Sequence, residues 1–594
     1  MDNSKNRAAF DPLAVMLEAR SVALVGASPR PGSLGARMIA EVAKSPARPR
    51  TYLVNPRYGQ IGGTRCYPGL ADLPEPVDLA LLAVPDGALE DQVRAAAAAG
   101  ARSAVIFGSA VTPPEPFSPG PGPTARLAAD TPFPGSLAAT GPGHGPGPQQ
   151  GPGPQHGPGP GHGPGLRERV AAVARDAEMA VCGAGCMGFV NVARGLRAIG
   201  YQEPDPLPAG PAALVTHSGS VFSALLRTRR AFGFTLAVSS GQELVTPAAA
   251  YARYALTLPE TKVLVLVLEA IRDAQALRSV LAGAAARDVP VLLLTAGASA
   301  ASRSLVAAHS GALAAGDGAW QALASAYGVH RVSDLAELAD TLELFSLTRR
   351  PRRPPAASGQ GGATVAGEPG APAAGFSAPG REESAGRGIA TVHDSGFERA
   401  HVADVAAAVG VPFAPLGEAA RQRLAAVLDP GLEPGNPLDV WGTGRDPEAL
   451  FTEALSALAD DPGVGAVALA VDLVPEYDGD DSYRAALLAA AAKTGKPVTV
   501  LASIPAAIDQ RTATRLRAAG IPVLESTRTG LLALRHLLAR ATPPEAEPPA
   551  YECAIGAAIA APMAHSYTPN AGLTAPVAGS GVPSLPARDR KSVV

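Results

Sequence analysis

Cysteine is scarce in this sequence: Cys66, Cys182, Cys186 and Cys553 are the four in 594 residues. That density does not build a disulfide framework, and free thiols in a reducing compartment are expected. The one close pair, Cys182 and Cys186, falls short of the four ligands structural zinc takes, so no metal site is expected. Aromatic residues make up only 4% and charged residues 17%, below the usual quarter. Lys and Arg total 50 against 53 Asp and Glu, a formal net charge of -3. There is no basic surplus for nucleic acid and no one-signed field for steering. Apolar runs such as 263–268 and 289–294 are strand-length, against the roughly 20 residues of a membrane span. The first residues carry Asp2, Lys5, Asp11 and Glu18 and no apolar signal core. A soluble, cytoplasmic protein with neither nucleic-acid nor membrane partner is the expectation. Hydrophobic residues are 47%, ample for buried cores, and the length calls for three or four domains.

The chain repeats one grammar. Residues 21–25 read as a strand, followed by the turn GASPRPGSLG (26–35), a helix over 36–43 and a strand over 51–54. A strand at 77–84, a helix at 89–99 and a strand at 103–107 continue it. Strands alternating with helices predict a parallel sheet covered on both faces. From 113 to 164 Gly, Pro, His and Gln dominate, which predicts a disordered insertion: such a segment buries too little apolar surface to offset its ordering entropy. Without a strict glycine at every third position it is not collagen-like. A helix at 166–177 and α/β sequence over 181–191 resume the first domain. A second α/β unit follows, with strands at 212–216, 235–238, 262–268 and 289–295 and helices between them. A low-complexity stretch over about 350–388 precedes a third, with strands at 389–392, 464–472, 497–501 and 521–524. Beyond 542 the sequence loses its period.

Two places carry candidate chemistry. SVALVGASPRPGSLG (21–35) delivers a strand into a glycine-rich turn and a helix N-terminus, the setting of a phosphate-binding crevice. The spacing is not G-x-G-x-x-G, and the second strand ends on Asn55, Pro56 and Arg57 where NAD would meet an acidic residue. A different phosphorylated nucleotide suits that ending better; a tight turn with no ligand is the competing reading. The other place is LVAAHSGALAAGDGAW (305–320), which sets His309 before Ser310 and Gly311. An imidazole that carries a phosphoryl group needs an exposed loop, a carboxylate for its other ring nitrogen, and amides or helix N-termini facing the phosphoryl oxygens. Glu269 ends the apolar strand KVLVLVLE, where α/β sites form, and THSGS (216–220) and SSGQE (239–243) lie at strand-to-helix turns. The competing reading makes His309, and more so His217, a locally hydrogen-bonded histidine without chemistry. A serine hydrolase is not supported, because THSGS is no G-x-S-x-G elbow and no triad emerges.

In combination these segments resemble the NDP-forming (ADP-forming) acyl-CoA synthetases, in the alpha-like part related to the alpha subunit of succinyl-CoA synthetase. The resemblance rests on VALVGASPRPGSLG, YLVNPRYGQIGGTRCYPGLADLPEPVDLALLAVP, GAGCMGFVN, ALVTHSGSVFSALL, VLVLEAIRD, AAHSGALAAGDGAW and GNPLDVWG, in that order. It implies an α/β chain: a Rossmann-like CoA-binding domain over 15–195 interrupted by the 113–164 insertion, a ligase domain over 210–348, a linker over 349–387, a third flavodoxin-like domain over 388–541 and an irregular tail over 542–594. It implies coenzyme A near Gly26, Ser28, Pro29, Asn55, Arg57, Val84 and Pro85. It makes His309 the phosphorylated histidine, Glu269 the carboxylate that steadies it, and Ser218, Gly219 and Ser220 an amide-rich phosphate loop. The implied reaction joins a small carboxylic acid to CoA with ATP through an acyl phosphate. No nucleotide-grasping module is identifiable, so ATP and Mg2+ are expected at a separate ATP-grasp beta-type subunit within an oligomer. The chain departs from the family's pattern with Gly183-Ala184-Gly185-Cys186 where Gly-Pro-Asn-Cys is usual, and with TVHDSGFERAHVADVA where the third domain usually has glycines. Those departures keep a second reading open, a non-catalytic CoA-binding or regulatory protein that retains the fold.

Overall fold

The computed structural model describes residues 11–111, 164–310, 316–348, 388–443 and 445–539, with the side chains of 308–310 excepted. The linker and the tail expected from sequence, and the insertion up to residue 163, lie outside the described residues. Three sheets organise the rest. The first holds β1 (Ser21–Val25), β2 (Arg50–Val54), β3 (Gln60–Ile61), β4 (Thr64–Tyr67), β5 (Leu79–Leu82), β6 (Ser103–Ile106) and β7 (Ala180–Gly183), in the order β3-β4-β2-β1-β5-β6-β7. Every residue of β1, β5, β6 and β7 is buried, as expected of parallel strands covered on both faces. The chain begins mid-sheet, winds outward through β2 and then returns to the other side of β1 at β5. Strand order therefore reverses between β1 and β5, the position at whose carboxyl ends open α/β sheets bind ligands.

The second sheet holds β8 (Gly188–Asn191), β9 (Leu196–Ile199), β10 (Ala209–Thr216), β11 (Phe234–Ser239), β12 (Val263–Leu268), β13 (Val291–Thr295) and β14 (His330–Arg331). Its order is β14-β13-β12-β10-β11-β8-β9: a parallel 2-1-3-4-5 flavodoxin-like set with an antiparallel hairpin on one edge. The first strand of that hairpin falls within the residues 15–195 that sequence analysis gives to the first domain. Val238 pairs with Phe189, so β8 belongs to the second sheet. Strands of four residues punctuated by Gly188 and Gly195 show no period, and their pairing is non-local. The third sheet, β15 (Gly388–His393), β16 (Leu438–Asp439), β17 (Val464–Ala470), β18 (Val498–Leu501) and β19 (Val523–Leu524), is wholly parallel in the order β16-β15-β17-β18-β19, again 2-1-3-4-5.

The units share cores. One apolar cluster runs from Leu24 and Met38 of the first to Leu236 and Leu266 of the second. Another joins Leu338 and Leu342 of the second to Leu531 and Leu534 of the third. The second join also contains a buried ion cluster: Arg230 contacts Asp340, Glu343 and Glu525, while Arg517 contacts Glu343 at 2.9 Å and Glu525 at 2.7 Å. Burial pushes the Asp340 carboxyl up, against the pull of Arg230. Among the described residues, no helix is long and apolar enough to cross a membrane.

Candidate functional site

The first candidate crevice is built by close backbone approach. Gly26 follows β1 at φ +86°, and a Cβ there would lie 2.2 Å from the Ala83 carbonyl oxygen. Only glycine lets the end of β1 lie this close to the end of β5. The helix Leu34–Ala43 packs equally tightly: a Cβ on Gly35 would lie 2.2 Å from the Gly26 carbonyl oxygen. Its first turn is capped by Ser33, whose hydroxyl accepts from the Ala36 amide at 3.2 Å. Ser28 Oγ accepts from the Arg30 amide at 3.2 Å, and Pro29 is exposed beside it. Half-buried Val84 and exposed Pro85 close the far wall, with Pro85 at the N-cap of the helix Asp86–Ala98. Gly26, Ser28, Pro29, Asn55, Arg57, Val84 and Pro85 thus all sit at the carboxyl edge of three adjacent strands.

Within that set Asn55 has a structural task. Its Nδ2 donates to the Ala27 carbonyl at 2.8 Å and its Oδ1 accepts from the Arg57 amide at 3.0 Å, so both ends of the amide clip one turn to the next. Arg57 is exposed, and its guanidinium has no ion-pair partner among the described residues, leaving a positive charge at the mouth. Glycine-cleared backbone, a capped helix N-terminus and one unpaired cation fit a phosphorylated ligand such as coenzyme A. Sequence reasoning missed Asp86. Its carboxylate accepts from the amides of Ala110 (3.1 Å) and Val111 (3.0 Å), anchoring the segment after β6 to this wall.

At the carboxyl edge of the second sheet, Ser218 caps the helix Gly219–Arg227, its Oγ 3.3 Å from the Val221 amide and 3.0 Å from Ser220 Oγ. Ser218, Gly219 and Ser220 therefore present the first turn of a helix, with its orphan amides. Immediately before them, His217 is buried. Its Nδ1 accepts from the Glu269 amide at 3.0 Å, and its Nε2 lies 2.8 Å from Glu243 Oε1. An amide donor facing Nδ1 fixes the tautomer: the ring hydrogen sits on Nε2 and points at Glu243. Glu243 also accepts from Ser240 Oγ (3.1 Å) and the Ala248 amide (2.8 Å), and its own backbone lies at φ +54°. The chain Glu243–His217–Glu269 ties the ends of β11, β10 and β12 together just where Glu269 leaves the sheet, half-buried. The sequence signal for Glu243 was present in SSGQE, but nothing in spacing paired it with His217.

His309 belongs by its backbone to the last turn of the helix Ala300–Ser310, where sequence analysis asks for an exposed loop; its side chain lies outside the described residues. The loop 183–187 connects the two carboxyl edges. The Gly185 amide donates to the Gly108 carbonyl at 2.7 Å, and the Gln242 amide donates to the Ala184 carbonyl at 2.9 Å. Cys182 and Cys186, 4.0 Å apart, sit beneath it; the Cys186 contact and burial push the Cys182 thiol well up, so it is an inert thiol. Among the described residues no three His, Cys, Asp or Glu side chains gather as a metal set.

Comparison with known proteins matches residues 20–192 to a CoA binding domain and residues 209–345 to a succinyl-CoA ligase like flavodoxin domain. A trans-feruloyl-CoA synthase from an unknown prokaryotic organism is 24% identical over 470 residues, 77% of this chain and 54% of that protein. An ADP-forming acetate–CoA ligase of Methanocaldococcus jannaschii is 22% identical over 325 residues, 54% of this chain and 39% of that protein. The chain thus spans about half or less of the length of these relatives. The alpha subunit of ADP-forming acetate–CoA ligase II of Pyrococcus furiosus is 22% identical over 512 residues, 85% of this chain and 93% of that subunit. Among solved structures, the apo dinucleotide-forming acetyl-coenzyme A synthetase 1 of Ca. Korarchaeum cryptofilum shares the fold with TM-score 0.65 at 17% identity, over 88% of this chain and 96% of that one.

Proposed function

Since this chain is a homologue of the NDP-forming (ADP-forming) acyl-CoA synthetases and carries CoA-binding and flavodoxin-like domains like those of their alpha-type part, we propose that it is the CoA-binding, phosphohistidine-bearing half of such an enzyme. It makes an acyl-CoA from a small carboxylic acid, CoA and ATP, and is completed by a separate ATP-grasp subunit that holds ATP and Mg2+. The observation that carries this reading is the succession of the two matched domains in one chain, each with a glycine- or serine-led helix N-terminus at the carboxyl edge of its sheet.

In this reading a ring nitrogen of His309 bonds to the γ-phosphorus of ATP as the bond to the ADP oxygen breaks. The acid's carboxylate oxygen then takes the phosphoryl group, which frees the imidazole; the CoA sulfur, losing its proton, attacks the carbonyl carbon of the resulting acyl phosphate, and inorganic phosphate leaves as the thioester forms. Imidazole suits this relay because it is nucleophilic near neutral pH and its phosphoramidate is labile. The Glu269 carboxylate balances the positive charge that develops on the ring. The amides after Ser218 face the phosphoryl oxygens, and His217 with Glu243 holds the backbone from which Glu269 projects. Gly26, Ser28, Pro29, Val84 and Pro85 shape the CoA crevice, Arg57 supplies charge and Asn55 keeps the turn in place.

A second reading, CoA binding without catalysis, draws on Ala184 and Gly185, which replace the family's usual proline and asparagine in the connecting loop. Turnover separates the two. With the ATP-grasp subunit, a carboxylic acid, CoA and ATP, the chain is expected to yield acyl-CoA, ADP and phosphate in equal amounts. CoA affinity with no thioester from any acid would establish the second reading instead.

A further inference from the structure

Five of the nine exposed large apolar side chains among the described residues gather on one edge of the molecule. Phe397 follows β15, Trp441 follows β16, Val474 and Tyr477 follow β17, and Ile504 follows β18, so all five stand at the carboxyl edge of the third sheet. Phe397 is 80% exposed and Tyr477 99%. The other four are scattered singly, as exposed apolar residues ordinarily are.

The edge is continuous, because the loops are hydrogen-bonded to one another. Tyr483 donates to Asp394 Oδ2 at 2.5 Å, tying the segment after β17 to that after β15. Asp472 accepts from the amides of Ser503 (2.7 Å) and Ile504 (3.0 Å), tying β17's loop to β18's. A Cβ on Gly396 would lie 3.1 Å from Asp439 Oδ2, so the ends of β15 and β16 touch. The same edge is strongly acidic. Residues 471–481 contain Asp472, Glu476, Asp478, Asp480 and Asp481 and no lysine or arginine. Asp394 and Asp439 add to it, and burial together with Asp394 and Asp472 pushes the Glu398 carboxyl up. The facing cations are fewer than the carboxylates: Arg484 is paired with Asp481, Arg511 and Arg515 line one cavity with Glu476, Asp480 and Asp481, and Arg399 and His401 lie on the helix Gly396–Val409.

Apolar side chains fixed on an acidic rim have the composition of an interface whose partner brings the opposite charge. A second copy of this edge would set carboxylates against carboxylates. We infer that the carboxyl edge of the third sheet is where the separate nucleotide-binding subunit docks, through a basic face bearing apolar side chains. The inference rests on the proposed function for the existence of that subunit; its location and chemistry rest on the exposed residues and charges above. Phe397, Trp441 and Tyr477 act as anchors, and the carboxylates of 472–481 speed and orient the encounter.

The test is the affinity of the purified full chain for the purified ATP-grasp subunit, measured by calorimetry at two salt concentrations. Phe397→Ser with Tyr477→Ser, and separately Glu476→Lys with Asp478→Lys, are each expected to weaken binding at least tenfold. The charge reversal should also flatten the salt dependence. Leu335→Ser, an exposed apolar change in the second unit, should bind as the unaltered chain does. Unchanged melting curves confirm that each variant folds. If the subunit binds and both edge variants match the unaltered chain, the docking inference fails and the functional reading stands. If the subunit does not bind the unaltered chain at all, the functional reading fails and takes this one with it. Self-association of the chain that either edge variant abolishes would assign the surface to a second copy and overturn the inference.

Discussion

Replacing His217 by alanine perturbs two buried groups at once. The Glu269 amide loses its acceptor, 3.0 Å away, and Glu243 Oε1 loses the donor at 2.8 Å. A buried polar group left without its partner costs about 1–3 kcal/mol. Glu243 keeps Ser240 Oγ and the Ala248 amide, which holds its share to the low end. A total of about 3 kcal/mol is expected, and with a urea slope of about 1–3 kcal/mol per molar it lowers the unfolding midpoint of the second unit by roughly 1–3 M. Buried Trp320 lies in that unit, so its fluorescence follows the relevant transition. Function should fall too, because Glu269 then projects from an untethered strand end: phosphorylation of the chain slows at least tenfold. Glu243→Ala should act in the same direction, and His217→Gln, which brings one donor and one acceptor, should recover part of both losses. An unchanged midpoint with unchanged labelling would refute the linkage. A lowered midpoint with full labelling would leave His217 a purely structural residue.

Gly26→Ala should cost about 2–4 kcal/mol, since it combines a left-handed φ of +86° with a Cβ 2.2 Å from a backbone oxygen, and should weaken CoA binding at least tenfold in calorimetry. His393, fully buried with Nε2 2.8 Å from Thr391 Oγ1, is held down at about 4 by burial and then by Arg399. Its folded pKa lies below the unfolded value near 6.5, so the unfolded chain binds the extra proton first, and stability is lost as pH falls from about 6.5 to about 4. The ring's share is about 3 kcal/mol at full protonation of the unfolded state. Urea unfolding across that range should show a shallower pH slope in His393→Leu, and an identical slope in both proteins would contradict the assignment.

Legibility followed period and length. Strands such as β12 and β15 were read within a residue or so of their ends, because runs like VLVLVL are apolar throughout and bounded by polar turns. The short partners β3, β8, β9 and β16 were not legible: two to four residues carry no period, and their pairing is decided by distant segments. The shared edge of Gly26, Ser28 and Pro29 was legible because strand, glycine turn and helix are contiguous in sequence. Val84 and Asn55 joined it through the same grammar one strand away. The Glu243–His217–Glu269 chain was not, since three strand ends meet there from positions 26 and 52 residues apart. The five-residue apolar edge of the third unit was equally hidden: its members are spread over four separate segments, and only the sheet order assembles them.

The central claim is that His309 carries a phosphoryl group between the nucleotide subunit and the CoA side. Incubation of the chain and the ATP-grasp subunit with γ-labelled ATP, followed by acid and alkali treatment of the denatured chain, tests it most directly. The account predicts label on this chain that survives alkali, is lost in acid, and is absent from His309→Ala. Label that persists in His309→Ala, or none on the unaltered chain in the presence of an active subunit, would contradict it.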